Sequence, residues 1–345
     1  MESVRLPSTQ SRKPSSPEDP RMSTITGHSE LDAEPSGDSA STGRRGDRIF
    51  SGLATGSGVF IIVLVVAVAV FLLSQAIPAL LDNKANFLFD RVWEVNDSEL
   101  RFGIPDLLYV TVVSSLVAML IAVPIAILVA LFLTQYAPAR LAAPFGYLVD
   151  LLAAVPSIVY GLWGFFVFRE YVEPVQNWLA DYFGWTKLLE EPVSLGTVFL
   201  ASIVLAIMIL PIVTAISREV FAQTPATHKE AALALGATRW EMIRTAVIPF
   251  GTPGVISAAM LGLGRALGET IAVTIIVSTN PGAFRFSLFS GGETFASKIA
   301  NNAGELGSST KAGAYIAAGL VLFVLTFLVN AAARIIIERR KAFSE

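Results

Sequence analysis

Six apolar stretches govern what this chain can become. They lie near 57–80, 107–134, 142–168, 194–217, 253–279 and 312–337. At about 1.5 Å of rise per residue, each is long enough to cross roughly 30 Å of hydrocarbon as a helix. The runs are continuous rather than alternating, which excludes a transmembrane β-barrel, whose strands switch between lipid and lumen at every residue. Composition agrees: 15% of the residues are charged, against about 25% in soluble domains. The expected fold is an all-α polytopic membrane protein with six transmembrane helices. The third run holds Pro156 and several glycines, so it is expected to kink or to pack closely on its neighbours.

Residues 1–50 are of a different character, rich in Ser, Pro, Asp, Glu and Arg and poor in bulky apolar residues. Such a segment buries too little surface to offset its ordering entropy, so a disordered cytoplasmic tail is expected. No small-residue cleavage site follows the first apolar run, which argues against a signal peptide. Residues 51–106 then hold the first membrane helix and an external loop, and 107–340 the remaining five helices. Basic residues set the orientation. Arg44, Arg45 and Arg48, then Arg140, then Arg218, Lys229, Arg239 and Arg244, and finally Arg334, Arg339, Arg340 and Lys341 fall on one side if six helices alternate. Those on the other side are spread over longer loops and mixed with acids. Both termini are therefore expected in the cytoplasm, with 81–106, 169–193 and 280–311 outside.

Several chemistries are missing. The chain has no cysteine and two histidines, His28 and His228, too few for thiolate chemistry or a convincing metal site. It has no GxxxxGK[ST] phosphate loop and no nucleophile–base set in the spans. No catalytic residue, metal or cofactor is expected, and any ATP-derived work must come from another polypeptide.

One polar interruption between the fourth and fifth runs stands out. Thr224 to Pro249 reads TPATHKEAALALGATRWEMIRTAVIP and resolves into two short helices. Thr224 is expected to cap the first, with Pro225 in the first helical position. Gly236 closes it in a left-handed conformation. Thr238 and Glu241 form a capping box that starts the second, and Pro249 is expected to end it. A capped helical knob on a membrane chain suits a grip for something soluble. A second polar intrusion lies inside the fifth run. Arg265 and Glu269 are four apart, which puts both on one helix face, among Gly262, Gly264 and Gly268 and beside Thr270 and Thr274. Charges at mid-membrane are costly and face a partner or an aqueous path. A guanidinium fork suits the oxygens of an oxyanion. An internal salt bridge that locks two helices is the competing reading. Ser157, after Pro156, either lines the same path or marks a simple kink. The five tryptophans lie mostly near span ends, as interfacial anchors do. Glycines near 291–292 and 304–307 suggest an irregular outer loop.

The knob resembles the EAA loop of ABC importer permeases. Glu230-Ala231-Ala232, Gly236, Ala246 and Ile248-Pro249 fall at that loop's spacing, with Ala246 where the family prefers isoleucine. Two further segments, AAVPSIVYGLWG (Ala153 to Gly164) and GLGRALGETIAVT (Gly262 to Thr274), resemble phosphate-specific permeases. The GETIAV ending is closer to one of the two permease subunits of such systems than to its partner, for which GETAP is expected. The likeness covers about residues 51–340. It implies a type I ABC importer transmembrane domain (MetI-like). It also implies assembly with a second permease subunit, two copies of a cytoplasmic P-loop ATPase and an external phosphate-binding protein. Glu230, Ala231, Ala232 and Gly236 would then couple to the ATPase. Arg265, Glu269, Thr270 and Ser157 would line the substrate pathway of an alternating-access importer. An ion-coupled secondary transporter, or a permease for molybdate or sulfate, is the alternative; the former leaves the EAA spacing unexplained.

Overall fold

The computed structural model describes residues 43–96, 99–192, 194–279, 285–307 and 309–341. Most of the expected tail, residues 1–42, lies outside them, and 43–50 form the first turns of helix α1 (Gly43–Asp82). The chain divides into two units within α1, residues 1–61 and 62–345. In the first, the side chains of 46–61 are exposed throughout. The second is described below.

Among the described residues, five helices are long and apolar enough to cross a membrane, or six if a bent pair counts as one span. The central one is α6 (Val198–Ala222), with Val198, Leu200, Ala201, Val204 and Ile209 buried. It packs on α2 (Pro105–Leu131) along Ala118, Ala122, Ala126 and Ala130. These alanines recur every fourth residue and are all fully buried. Small residues at that period form a smooth stripe that lets two helix backbones approach. On its other side α6 meets α9 (Ile248–Leu267). There Gly251 and Gly254 make the approach possible: a Cβ at either would fall 2.6 or 2.5 Å from the side chains of Phe221 and Val220.

The third apolar run is not one straight span. It consists of α3 (Ala139–Ala153), α4 (Ser157–Trp163), a π-helical turn Gly164–Phe168 and α5 (Arg169–Phe183), bent by 89° between α3 and α4. Pro156 lies at the bend with extended backbone, φ −59° and ψ 139°, and has no N–H to continue α3. The Tyr160 hydroxyl donates to the Leu152 carbonyl at 2.9 Å, tying the two arms together.

The fifth apolar run also departs from expectation. Its helix begins earlier and stops earlier than 253–279. Helix α8 (Arg239–Met242) passes through a π-helical turn, Ile243–Val247, directly into α9, giving one 29-residue rod, Arg239–Leu267. Pro249 therefore does not end the second short helix. The widened turn lies just ahead of it, where the chain accommodates a ring and a missing donor that a regular helix interior does not. Gly268 then closes the rod, and a separate short helix α10 (Ile271–Ile276) follows.

The remaining elements cap one end. Strands β1 (Trp93–Val95) and β2 (Leu100–Phe102) pair antiparallel with Glu94 opposite Arg101, the only sheet among the described residues. Trp93 is no free anchor: its ring packs on Phe102 and on Tyr315 of α12 (Ser309–Lys341). The glycine-bearing segment after α10 is more ordered than its composition suggests. It contains α11 (Phe295–Asn301), started by a capping box between Thr294 and Ser297 and buried at Phe295 and Ala296. Its carbonyls at Leu288 and Ser290 accept from Phe199 and Val198, and the Thr197 hydroxyl from Leu200. Donors that the first turn of a helix leaves orphaned are thus satisfied.

Candidate functional site: a coupling knob joined to a mid-membrane break

The knob carries the capping chemistry its sequence encodes, with one exception. Helix α7 (Ala226–Ala234) ends ahead of Gly236, whose φ of +86° is a conformation only glycine adopts without strain. The Thr238 backbone N–H donates to Glu241 Oε2 at 2.8 Å, and the Glu241 N–H donates back to Thr238 Oγ1 at 3.3 Å. The exception is Thr224. Pro225 occupies the N-cap, extended and outside the helix, while Thr224 is buried with its hydroxyl unpaired.

Exposure sorts the EAA residues. Glu230 and Ala231 are exposed, whereas Ala232 is half-buried and packs on the cluster of Met242, Ile243, Val247 and Phe221. Ala232 therefore seats α7 on the rod, and Glu230 and Ala231 face away from it. Leu235 is 90% exposed and Trp240 54% exposed, large apolar surfaces that the described chain does not cover. Two contacts brace the knob end of the bundle. Arg239 stands 5.5 Å above the ring of Tyr136, in the π-helical turn Phe132–Tyr136 that follows α2, and Arg218 of α6 pairs with Asp150 of α3 at 3.1 Å. Gly146 leaves the room that the Arg218 guanidinium occupies.

At the far end of the rod Arg265 and Glu269 do not share the helix face expected of them, because Gly268 breaks the helix between them. The ion pair that the competing salt-bridge reading requires is not formed among the described residues. Glu269 is buried, and its Oε1 accepts the Ala272 N–H at 3.2 Å, holding the first turn of α10. Arg265 has its Nε buried without a hydrogen bond, and no ion pair among the described residues uses it. It lines a cavity of about 640 Å³ with Ser257 and Leu261 of α9, Ile212 of α6, and Asn330 and Arg334 of α12. No acid among the described residues lines that cavity. Thr270 lies in the break, its hydroxyl donating to the Gly268 carbonyl at 3.3 Å.

Ser157 opens α4 just after the 89° bend and is half-buried. Its helix packs on α10: a Cβ at Gly161 would lie 2.9 Å from the Ala272 Cα. The two broken spans thus meet. Tyr160, which the sequence reading passed over, is the residue between them. It is buried in one cluster with Ala266 of α9 and Val273 of α10. A tyrosine four residues after a proline in an apolar run was the available signal, since a buried hydroxyl needs a partner and a proline leaves a carbonyl free.

With this geometry in place, comparison with known proteins identifies the family. The family of binding-protein-dependent transport system inner membrane components matches residues 122–342. The phosphate transport system permease protein PstC 2 of Mycobacterium bovis is 54% identical over 298 residues, covering 85% of this chain and 92% of the relative. PstC of Mycobacterium leprae is 52% identical, over 85% of this chain and 93% of the relative. PstC of Xylella fastidiosa is 38% identical, over 86% and 91%. The chain accordingly belongs to the binding-protein-dependent transport system inner membrane components, within the group of PstC permeases, as a multi-pass transport subunit rather than an enzyme.

Proposed function

We propose that this permease conducts inorganic phosphate in an ATP-driven importer, with Arg265 as the group that meets the anion. The observation that carries the reading is the continuous rod Arg239–Leu267. It joins the exposed knob at one end to an unpaired guanidinium at the other, so a push on the knob moves the anion site as a rigid lever about 43 Å long. The relatives' printed names support the cargo. The partners implied are a second, PstA-like permease subunit, two copies of a PstB-like cytoplasmic P-loop ATPase, and a PstS-like external phosphate-binding protein. Basic residues at both ends and around the knob support a cytoplasmic placement of the termini and the knob.

In this mechanism Glu230, Ala231 and the exposed Leu235 and Trp240 dock on the ATPase, while Ala232 and Gly236 fix how α7 sits on the rod. Closure of the ATPase dimer tilts the rod, and the bundle rocks between outward and inward openings. Arg265 offers a planar fork of donors to the phosphate oxygens. Thr270 and Ser157, at the two helix breaks, add hydroxyls on the path. Glu269 acts through the helix it caps, setting where α10 begins and how close α4 approaches. The test is uptake of radiolabelled phosphate, molybdate and sulfate by vesicles containing the full assembly. ATP-dependent phosphate uptake that fails with Arg265→Ala, with the assembly intact, supports the reading. Uptake of molybdate or sulfate in place of phosphate would overturn the cargo, and uptake without the ATPase would overturn the energy source.

A further inference from the structure

A second cavity, of about 320 Å³, lies away from the proposed pathway, between the first turns of α5 and the segment that leads into α6. It is at the small end of the range for ligand sites, about 300–1,000 Å³. Its walls include Arg169, Glu173, Gln176 and Asn177 of α5, with Ser194 and Leu195 opposite. Arg169 and Glu173 are one helical turn apart, the spacing at which opposite charges on a helix pair. No ion pair among the described residues joins them. The Arg169 Nε is instead buried without a hydrogen bond, with its guanidinium 5.1 Å over the Phe165 ring. Gln176 is held in the wall by donating its amide to the Thr197 hydroxyl at 3.0 Å. The site is preformed and leaves a positive and a negative group open to one ligand.

Depth says what that ligand is. Ser157 to Phe168 is apolar apart from Ser157 itself, and Ile158, Val159, Leu162, Phe166 and Val167 are exposed along it. Polar sequence starts at Arg169, and Tyr171, Trp178 and Tyr182 of α5 are each more than half exposed. Aromatic side chains at such a boundary sit at the level of lipid headgroups. We propose that the cavity binds the headgroup of a zwitterionic aminophospholipid such as phosphatidylethanolamine. The phosphodiester sits on Arg169, the primary ammonium on Glu173, and the acyl chains cover the exposed face of α4. Guanidinium and phosphate make a charge-assisted fork. A primary ammonium donates hydrogen bonds to the carboxylate, which the quaternary ammonium of a choline headgroup has no N–H to do. Glu173 disfavours free phosphate, since a carboxylate repels a dianion. The inference is independent of the cargo and of the pathway through Arg265.

Native mass spectrometry of the purified full assembly in mild detergent tests it, with phosphatidylethanolamine and phosphatidylcholine of identical acyl chains added in turn. The wild-type assembly should retain the ethanolamine lipid at least several-fold more than the choline lipid, a comparison that needs no variant. Glu173→Gln should erase that preference, and Arg169→Gln should lower retention of both lipids. Equal retention by the wild type, or an unchanged preference in Glu173→Gln, overturns the proposal. Displacement of the lipid by millimolar inorganic phosphate overturns it too, in favour of a free-phosphate station.

Discussion

Arg265 and Glu269 show how a single intervening glycine reassigns two charges. Read as neighbours on one helix, they are a salt bridge; with Gly268 ending α9 between them, each has its own work. Arg265 is left with an unsatisfied Nε at a cavity that no acid among the described residues lines, while Glu269 holds the Ala272 N–H. Arg265→Ala should abolish phosphate uptake at normal membrane abundance. Arg265→Lys should restore a minor fraction, because lysine returns the charge without the planar fork. Glu269→Gln keeps an oxygen that can accept from Ala272, so it should lower uptake far less than Glu269→Ala. The double mutant Arg265→Ala/Glu269→Ala should be as inactive as Arg265→Ala alone. Recovered uptake there would mean that the two charges had been compensating one another, and would sink the assignment of Arg265 to the anion. The types of these residues were legible from the sequence, since charge in an apolar run stands out. Their separation was not: a helix that stops at Gly268 and one that runs through it share the same apolar pattern, and only the packing of α10 on α4 decides between them.

The decisive element is the rod from Arg239 to Leu267, and the sequence reading divided it wrongly at Pro249. A proline inside a helical pattern ordinarily ends the helix. Here a π-helical turn over Ile243–Val247 precedes it and the helix runs on. Such a turn has no sequence signature of its own, so the continuity of knob and membrane helix had to come from the structure. The caps around it were legible, because each rests on local chemistry: Gly236 on positive φ, Thr238 and Glu241 on reciprocal hydrogen bonds. Two element-level tests follow. Gly236→Val forces a β-branched residue into a left-handed conformation, at a cost of about 1–3 kcal/mol. The φ at Gly236 is +86°, and a Cβ there meets no neighbouring atom, so strain rather than a clash is the effect. Phosphate uptake should fall several-fold while membrane abundance holds. The second test softens the lever itself. Thr245→Gly/Ala246→Gly adds roughly 1 kcal/mol of helix-breaking tendency at position 246 and a few tenths at 245, between the knob and Arg265. ATP hydrolysis by the assembled transporter should persist while transport per ATP drops. Equal losses in both rates would mean that the rod does not carry the stroke.

At the scale of the whole molecule, a closely packed frame stands beside two broken spans. Helices α2 and α6 pack through a stripe of alanines that leaves little room for adjustment, whereas the third and fifth apolar runs, the fifth carrying the rod, are each broken where they meet. The seam between α1 and α12 belongs to the frame. A Cβ on Gly313 would stand 2.7 Å from the Ala79 Cβ, so Gly313→Leu should overpack it and cost about 1–3 kcal/mol, read as a lower thermal midpoint in detergent. Residues 2–40 are polar and rich in Ser, Pro and charge, a composition that does not supply a core. Arg44, Arg45 and Arg48 lie beyond the cut, and it is basic residues within about 15–20 residues of a membrane helix that fix its orientation. Deleting 2–40 should therefore leave insertion, assembly and phosphate uptake within about twofold of the full chain, a threshold equivalent to about 0.4 kcal/mol. Co-purification of the ATPase and the second permease subunit with the truncated chain checks assembly apart from transport. Loss of either partner on truncation would show that the stretch is a docking element, and that the transporter extends beyond the frame of helices described here.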